Sequence, residues 1–126
     1  MNPSPQILYQ GKFISMARKG TWEYATRMNV SGIVGIIAIT DDRKLILVEQ
    51  FRPPVGKNVI ELPAGLAGDQ AQFKGEDLAL AAKRELEEET GWRASKMELL
   101  AFGPPSAGMT DEIMHLFKAS GLTKVS

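Results

Sequence analysis

The chain has 126 residues, 44% of them apolar and 24% charged, with fifteen basic and fifteen acidic side chains and no cysteine. That length supports one small domain with a single core. Balanced charge argues against a broad basic field for nucleic acid and a polybasic tract for a membrane surface, and the missing cysteines exclude disulfides and thiolate metal sites.

The first residues lack a basic segment followed by an apolar one, so no signal peptide is expected, and the longest apolar run, 32–39, is too short to span a bilayer. A cytoplasmic protein is the expectation. Residues 7–18 read as one or two strands broken at Gly11. Lys19 and Gly20 mark a turn, and 21–28 is rich in Thr, Trp and Tyr, as strands are. The two segments make an antiparallel hairpin that carries Phe13 and Trp22. Sheet packing is the ordinary role of such aromatics, and ligand stacking is the alternative. Residues 31–40 are rich in β-branched side chains and suit a strand buried on both faces. After a polar turn at 41–44, residues 45–51 read as a second buried strand, paired antiparallel with the first.

Arg52 follows at once, and Pro53, Pro54 and Gly56 force a loop. An arginine there suits a phosphate fork as well as a surface salt bridge. Residues 59–61 read as a short strand, 62–66 as a tight apolar turn and 67–75 as a polar approach to a helix. Beyond the helix, 97–102 reads as a strand, 103–112 as a long loop and 113–117 as another strand. His115, the only histidine, sits in that apolar pattern and reads as structural. There is no Ser-His-Asp set, no cysteine nucleophile and no P-loop pattern.

The chemistry concentrates on the helix. Residues 77–89 are almost wholly good helix formers, and Gly91 stands where a left-handed residue would end the helix. At about 100° per residue, Leu78, Ala82 and Leu86 share a core-facing stripe. Glu85, Glu88 and Glu89 fall within an arc of about 100°, and Glu87 points the other way. Three close carboxylates repel one another, and the helix dipole disfavours negative charge at this end. Such a run is commonly a solvated acidic face. The alternative is a hard-cation site, where Mg²⁺ or Mn²⁺ neutralises the cluster. Arg84, one turn before Glu88, stands where it could brace that carboxylate.

Glu76, then Arg84, Glu85 and Leu86, then Glu88 and Glu89, then Gly91 and Trp92 follow the spacing Ex7REUxEExGU, with U a bulky apolar residue. This resembles the Nudix box. Gln70 stands where the box has its first glycine, and Gly65 is expected to take that part across a lengthened loop. Loops tolerate such insertion. Segments 50–54, 61–66 and 106–112, with Gly11 to Phe13, Thr21 to Glu23 and Arg27, extend the resemblance to the ADP-ribose pyrophosphatase branch of the Nudix family, over about residues 10–117.

The resemblance implies an α/β fold, an α/β/α sandwich around a mixed β-sheet with an N-terminal antiparallel hairpin. Residues 1–30 would form N-terminal strands exchanged in a homodimer, and 31–126 the Nudix domain. The implied reaction is Mg²⁺-dependent hydrolysis (Mn²⁺ is possible) of the diphosphate of nucleoside diphosphate sugars such as ADP-ribose, to a nucleoside monophosphate and a sugar phosphate. Glu85 and Glu89 are the implied metal ligands, with Glu88 close behind and the Ala64 carbonyl as a further oxygen. Pro63 would fix that turn, and Arg84 would orient the carboxylates. Arg52 is the implied phosphate clamp. Phe13 and Trp22 would sandwich the base from different subunits, with Glu23 and Arg27 as polar contacts and Leu66 and Met109 lining the pocket. Relatives continue past this end with a strand, a helix and a loop glutamate proposed as base. The chain is expected to lack that helix, and three alternatives stay open: Glu112 takes the glutamate's part, the helix glutamates activate the metal-bound water, or a truncated chain has impaired activity. Two other readings stay open: an oxidised-nucleotide sanitising hydrolase and a nucleotide sensor that does not hydrolyse. Aromatic stacking tolerates any base, so the preferred nucleotide is not legible.

Overall fold

The run of β-branched residues forms β4 (Gly32–Ala38), an interior strand of the main sheet. In the computed structural model, which describes residues 3–27, 30, 32–68 and 77–126, Val34, Ile36 and Ala38 share one face and are fully buried, whereas Ile33 and Ile37 on the other face are only half-buried, so the expected burial on both faces holds for one. On one edge β4 pairs antiparallel with β7 (Ala64–Ala67), and on the other it pairs parallel with β9 (Met114–Lys124). β8 (Trp92–Gly103) lies antiparallel to β9, so the mixed sheet has the order β7-β4-β9-β8. The fold is mixed α/β, with one helix among the described residues.

That helix, α1 (Leu78–Thr90), packs across the mixed sheet. It buries Ala81, Ala82 and Leu86 in a core with Val34, Ala94 and Phe117, and Leu78 packs on the margin. Asp77 precedes it in extended conformation. Gly91 ends it at φ 75°, in the left-handed region, with its N–H donating to the Glu87 carbonyl at 2.9 Å. The end of β9 ties this terminus down: Lys124 Nζ donates to the Thr90 carbonyl at 2.9 Å, and the Val125 N–H to the Gly91 carbonyl at 2.8 Å.

The N-terminal hairpin is a three-stranded antiparallel sheet, β1 (Gln6–Gln10), β2 (Ser15–Lys19) and β3 (Trp22–Thr26). Gly11 breaks it as expected: its N–H donates to the Ile14 carbonyl at 2.9 Å, and a Cβ there would stand 2.6 Å from that oxygen. The sheet docks on the loop before β9. Ala25 N–H donates to the Met109 carbonyl at 2.8 Å, and Thr26 Oγ1 to Asp111 Oδ2 at 2.9 Å.

Several local expectations are corrected. Residues 45–51 do not form a buried partner of β4. The strand there, β5 (Val48–Arg52), pairs instead with β6 (Lys57–Glu61), and Phe51 is 58% exposed. Both edges of β4 are already taken by β7 and β9, so the turn at 41–44 leaves only a bridge between Ile39 and Leu45. Residues 62–66 are not simply a turn, because Ala64 opens β7. β8 and β9 also run well beyond the short strands expected. His115 is structural as read: its ring stacks on Phe102 with centroids 5.8 Å apart, and Nδ1 lies 3.4 Å from the Ile33 carbonyl. Met28, Gln70 and Glu76 lie outside the described residues. No helix among the described residues is long and apolar enough to cross a membrane.

Leu86 is fully buried where α1 meets the sheet. Leu86→Ala is expected to destabilise the chain by about 3 kcal/mol, read as a lower urea midpoint with an unchanged slope.

Candidate active site

The C-terminal half of α1 lies against β7, a strand of small residues. Glu89 Oε1 accepts a hydrogen bond from the Ala64 N–H at 2.9 Å. Glu85 sits directly over Gly65: a Cβ at that position would stand 2.1 Å from Glu85 Cδ and 2.5 Å from both carboxylate oxygens. Glycine inside a strand often marks a close approach, and here it makes room for a carboxylate. Arg84 Nη1 donates to Glu85 Oε1 at 3.1 Å and to Glu88 Oε2 at 3.3 Å, so it braces both. Glu87 faces away and pairs with Arg93 at 2.9 Å.

The ladder also aims a backbone oxygen at this place. Ile36 N–H donates to the Pro63 carbonyl at 2.9 Å, which makes the next pair, Gly35 and Ala64, a non-hydrogen-bonded pair. The polar groups of Ala64 therefore face away from β4. Its N–H goes to Glu89, and its carbonyl shares that side.

Burial pushes the Glu85 carboxyl up to about 6; Arg84 opposes the shift, and Glu88 and Glu89 add to it. Burial also raises Glu89, against the Ala64 N–H and Arg52, with Glu61 and Glu88 pushing the same way as burial. One guanidinium is shared by Glu85 and Glu88, and Glu89 has no direct ion pair among the described residues. Among the described residues the group is short of positive charge. Among the described residues no three acidic or histidine side chains already converge into a closed cage. The donor set still fits a hard divalent cation: carboxylates and a peptide carbonyl, all oxygen, with under-compensated negative charge.

Arg52, expected as a phosphate clamp, is held in a two-pronged ion pair. Its Nε and Nη2 donate to Glu61 Oε2 and Oε1, each at 2.8 Å. Sequence reasoning placed Glu61 on a strand and assigned it no role. The signal for it lies in hairpin parity, since the β5–β6 register puts Arg52 and Glu61 on one face.

The remaining predicted residues gather elsewhere. Trp22 Nε1 donates to the Gly108 carbonyl at 3.0 Å, and Arg27 forms an ion pair with Glu112. Glu23 and Met109 line an open apolar groove of about 510 Å³ with Tyr9, Ile14, Met16 and Tyr24. Trp22 lines a separate hollow of about 230 Å³ with Lys19, Thr110 and Asp111. Phe13 is 75% exposed with the Lys12 ammonium 5.3 Å from its ring centroid, and it makes no ring contact with Trp22. Leu66 is half-buried in β7 opposite Ile33. Glu112 shares a small cavity with Gly32 and Ile33, whereas Ala64 lies opposite Gly35. At the rise of a strand, three residues put these levels roughly 10 Å apart. One chain thus brings together Arg52, Ala64, Arg84, Glu85, Glu88 and Glu89 at the level of the middle of β4, and holds Glu112 with Arg27 near its start.

Two outcomes follow from this geometry. In Gly65→Ala the new methyl must displace the Glu85 carboxylate, which can swing away, so the fold should survive while Mn²⁺ affinity falls by about tenfold or more; a manganese titration with a parallel thermal melt checks both. Folding raises the Glu85 pKa from its usual 4.5 to about 6, so between those values the folded chain binds more protons than the unfolded one. Glu85's contribution to the stability of the metal-free chain therefore declines as pH rises through that window. Thermal midpoints at its two ends should show this contribution as a difference between the parent chain and Glu85→Gln.

The comparisons agree with the geometry. The family model for the NUDIX domain matches residues 31–124. The chain is 47% identical over 93 residues to the methanol dehydrogenase activator of Bacillus methanolicus, covering 74% of this chain and 48% of that one. It is 42% identical over 92 residues to an ADP-ribose pyrophosphatase of Bacillus subtilis (73% and 47% covered) and 50% identical over 112 to the ADP-sugar pyrophosphatase of Mus musculus (75% and 49%). It spans about half the length of these curated relatives. A crystal structure of an ADP compounds hydrolase matches all of this chain and 69% of its own, with TM-score 0.78 at 21% identity, which speaks for the fold. With the spaced glutamates, the mixed sheet and the family model in agreement, the chain belongs to the Nudix family.

Proposed function

We propose that this chain carries the hydrolytic site of a Mg²⁺-dependent nucleoside diphosphate sugar pyrophosphatase, acting on ADP-ribose or a similar ADP-sugar and releasing a nucleoside monophosphate and a sugar phosphate. The observation that carries this reading is the placement of Glu85 and Glu89 on the backbone of β7, under-compensated in charge and beside the Ala64 carbonyl. The pyrophosphatase names of two curated relatives support it.

Glu85, Glu88, Glu89 and the Ala64 carbonyl would hold the cation, Mg²⁺ or Mn²⁺. When bound, it supplies neutralisation of the diphosphate charge and orientation of an attacking water. Arg84 keeps Glu85 and Glu88 on one side of the helix, which limits the reorganisation that binding requires. Arg52 lies within electrostatic reach of Glu89 and presents a planar guanidinium suited to a phosphate oxygen. Trp22, Glu23, Arg27 and Met109 would take the base end, with Phe13 arriving from a second subunit and Leu66 lining the pocket between. Glu112 would serve as base only on leaving Arg27.

A homodimer belongs to the same reading. Tyr9, Phe13, Ile14 and Trp22 expose apolar surface on and beside the N-terminal sheet, which a second copy would cover. A cytoplasmic location is proposed with it, and a cysteine-free chain suits a reducing compartment.

The test is a turnover panel with ADP-ribose, GDP-mannose and 8-oxo-dGTP, with and without Mg²⁺, products separated by chromatography. AMP plus ribose 5-phosphate is expected from ADP-ribose only with the metal. Glu89→Gln is expected to lower turnover by about a hundredfold or more while leaving nucleotide binding largely intact. Unchanged turnover in that variant would remove Glu89 from the site, and hydrolysis of 8-oxo-dGTP alone would favour a sanitising enzyme.

A further inference from the structure

Arg52 and Glu61 meet end-on, two donors to two oxygens, each at 2.8 Å. Glu61 is the last residue of β6, and three residues later Ala64 donates its N–H to Glu89. The ion pair therefore stands at the edge of the carboxylate group, and its charges reach it. Arg52 and Glu89 lie close enough for each to feel the other's charge. Glu89 itself has only a peptide N–H and no direct ion pair among the described residues. A guanidinium released from Glu61 would find in Glu89 a nearby carboxylate short of a cation, and such pairs favour the two-pronged geometry.

We propose that Glu61 is a positioning residue that holds Arg52 off Glu89, and so keeps the Glu89 carboxylate open to a divalent cation while the guanidinium waits for an anion. The proposal rests on the reading of Glu85, Glu88 and Glu89 as a cation site. Without Glu61, arginine and cation compete for the same oxygens. With it, both positive charges can occupy the site together, which binding an anionic diphosphate requires. An anion arriving at Arg52 has only to displace one carboxylate, itself 25% exposed.

The consequence is a coupling between two substitutions that a general structural role would not produce. Mn²⁺ affinity is measured by electron paramagnetic resonance on the parent chain, Glu61→Gln, Arg52→Ala and the double variant, with thermal melts to confirm folding. Glu61→Gln is expected to weaken Mn²⁺ binding by about tenfold or more while Arg52 is present, and by less than about threefold in the Arg52→Ala background. Glu61→Asp keeps an acceptor for Arg52 and should fall between parent and Glu61→Gln, which covers the case where Gln perturbs folding. Equal weakening in both backgrounds would overturn the proposal, because Glu61 would then act on the cation or the fold directly. Undiminished affinity in Glu61→Gln would overturn it as well. Mn²⁺ binding that Glu89→Gln does not weaken would instead remove the cation site, and this inference with it.

Discussion

Two carboxylates of one helix are pressed against the backbone of a strand, and that contact sets the demands on its surroundings. α1 can approach β7 this closely only because position 65 has no side chain and position 64 has a methyl group. β7 can present those residues only because β4 holds it in register. β4 in turn is fixed by its own burial, with β9 on its other edge and Leu86 and Phe117 in the core beneath the helix. Loss of register by one residue would turn Ala64's N–H toward β4 and away from Glu89. The apolar core is thus the device that places polar atoms.

The helix end is where local preference and global arrangement conflict. Acidic side chains oppose the dipole there, repel one another and lose hydration against β7. Along the rest of α1 the helix-forming residues, the apolar stripe and the left-handed glycine at the stop agree. A conflict confined to one place, in a chain otherwise consistent, points to function more strongly than the acidic residues do by themselves. The partial remedies divide the labour. Arg93 removes Glu87 from the group, Arg84 is shared between two carboxylates, and Arg52 is engaged by a carboxylate of another strand. Among the described residues, Glu89 is left with a peptide N–H and no ion pair, and Glu85 shares its arginine with Glu88.

How much of this could be read from residues alone depended on how local the cause was. The helix, its stop at Gly91, the core stripe and the buried face of β4 that carries Val34, Ile36 and Ala38 are set by neighbours in sequence and were legible, whereas burial of its other face was expected and is only partial. The spacing of Arg84, Glu85, Glu88 and Glu89 also carried the family. The partner of β5 was not legible. A short polar turn suggested β4, but Ile46 meets Ala38 on the edge that β7 occupies farther along β4, and no local pattern records that competition. Gly65 looked like a turn residue, and its contact with Glu85 exists only once helix and strand have met. Glu61 looked like an ordinary strand residue, and only the hairpin face it shares with Arg52 shows what it does.

On the proposed reading, the split of the site between the middle and the start of β4 has a chemical sense. A nucleoside diphosphate sugar is charged in its middle and aromatic at one end, and binding it needs a cation-and-arginine region separated from an apolar one. The roughly 10 Å between the levels of Ala64 and Glu112 is a separation of that kind. The apolar end is built on a sheet anchored by hydrogen bonds from Trp22, Ala25 and Thr26 to one loop, and it exposes Phe13 and Tyr9. Such a sheet can take a partner surface without disturbing the core that places the glutamates. Specificity for the base can then vary with the N-terminal strands and the loop before β9, while the chemistry at Glu85 and Glu89 stays tied to β4, which is paired on both edges.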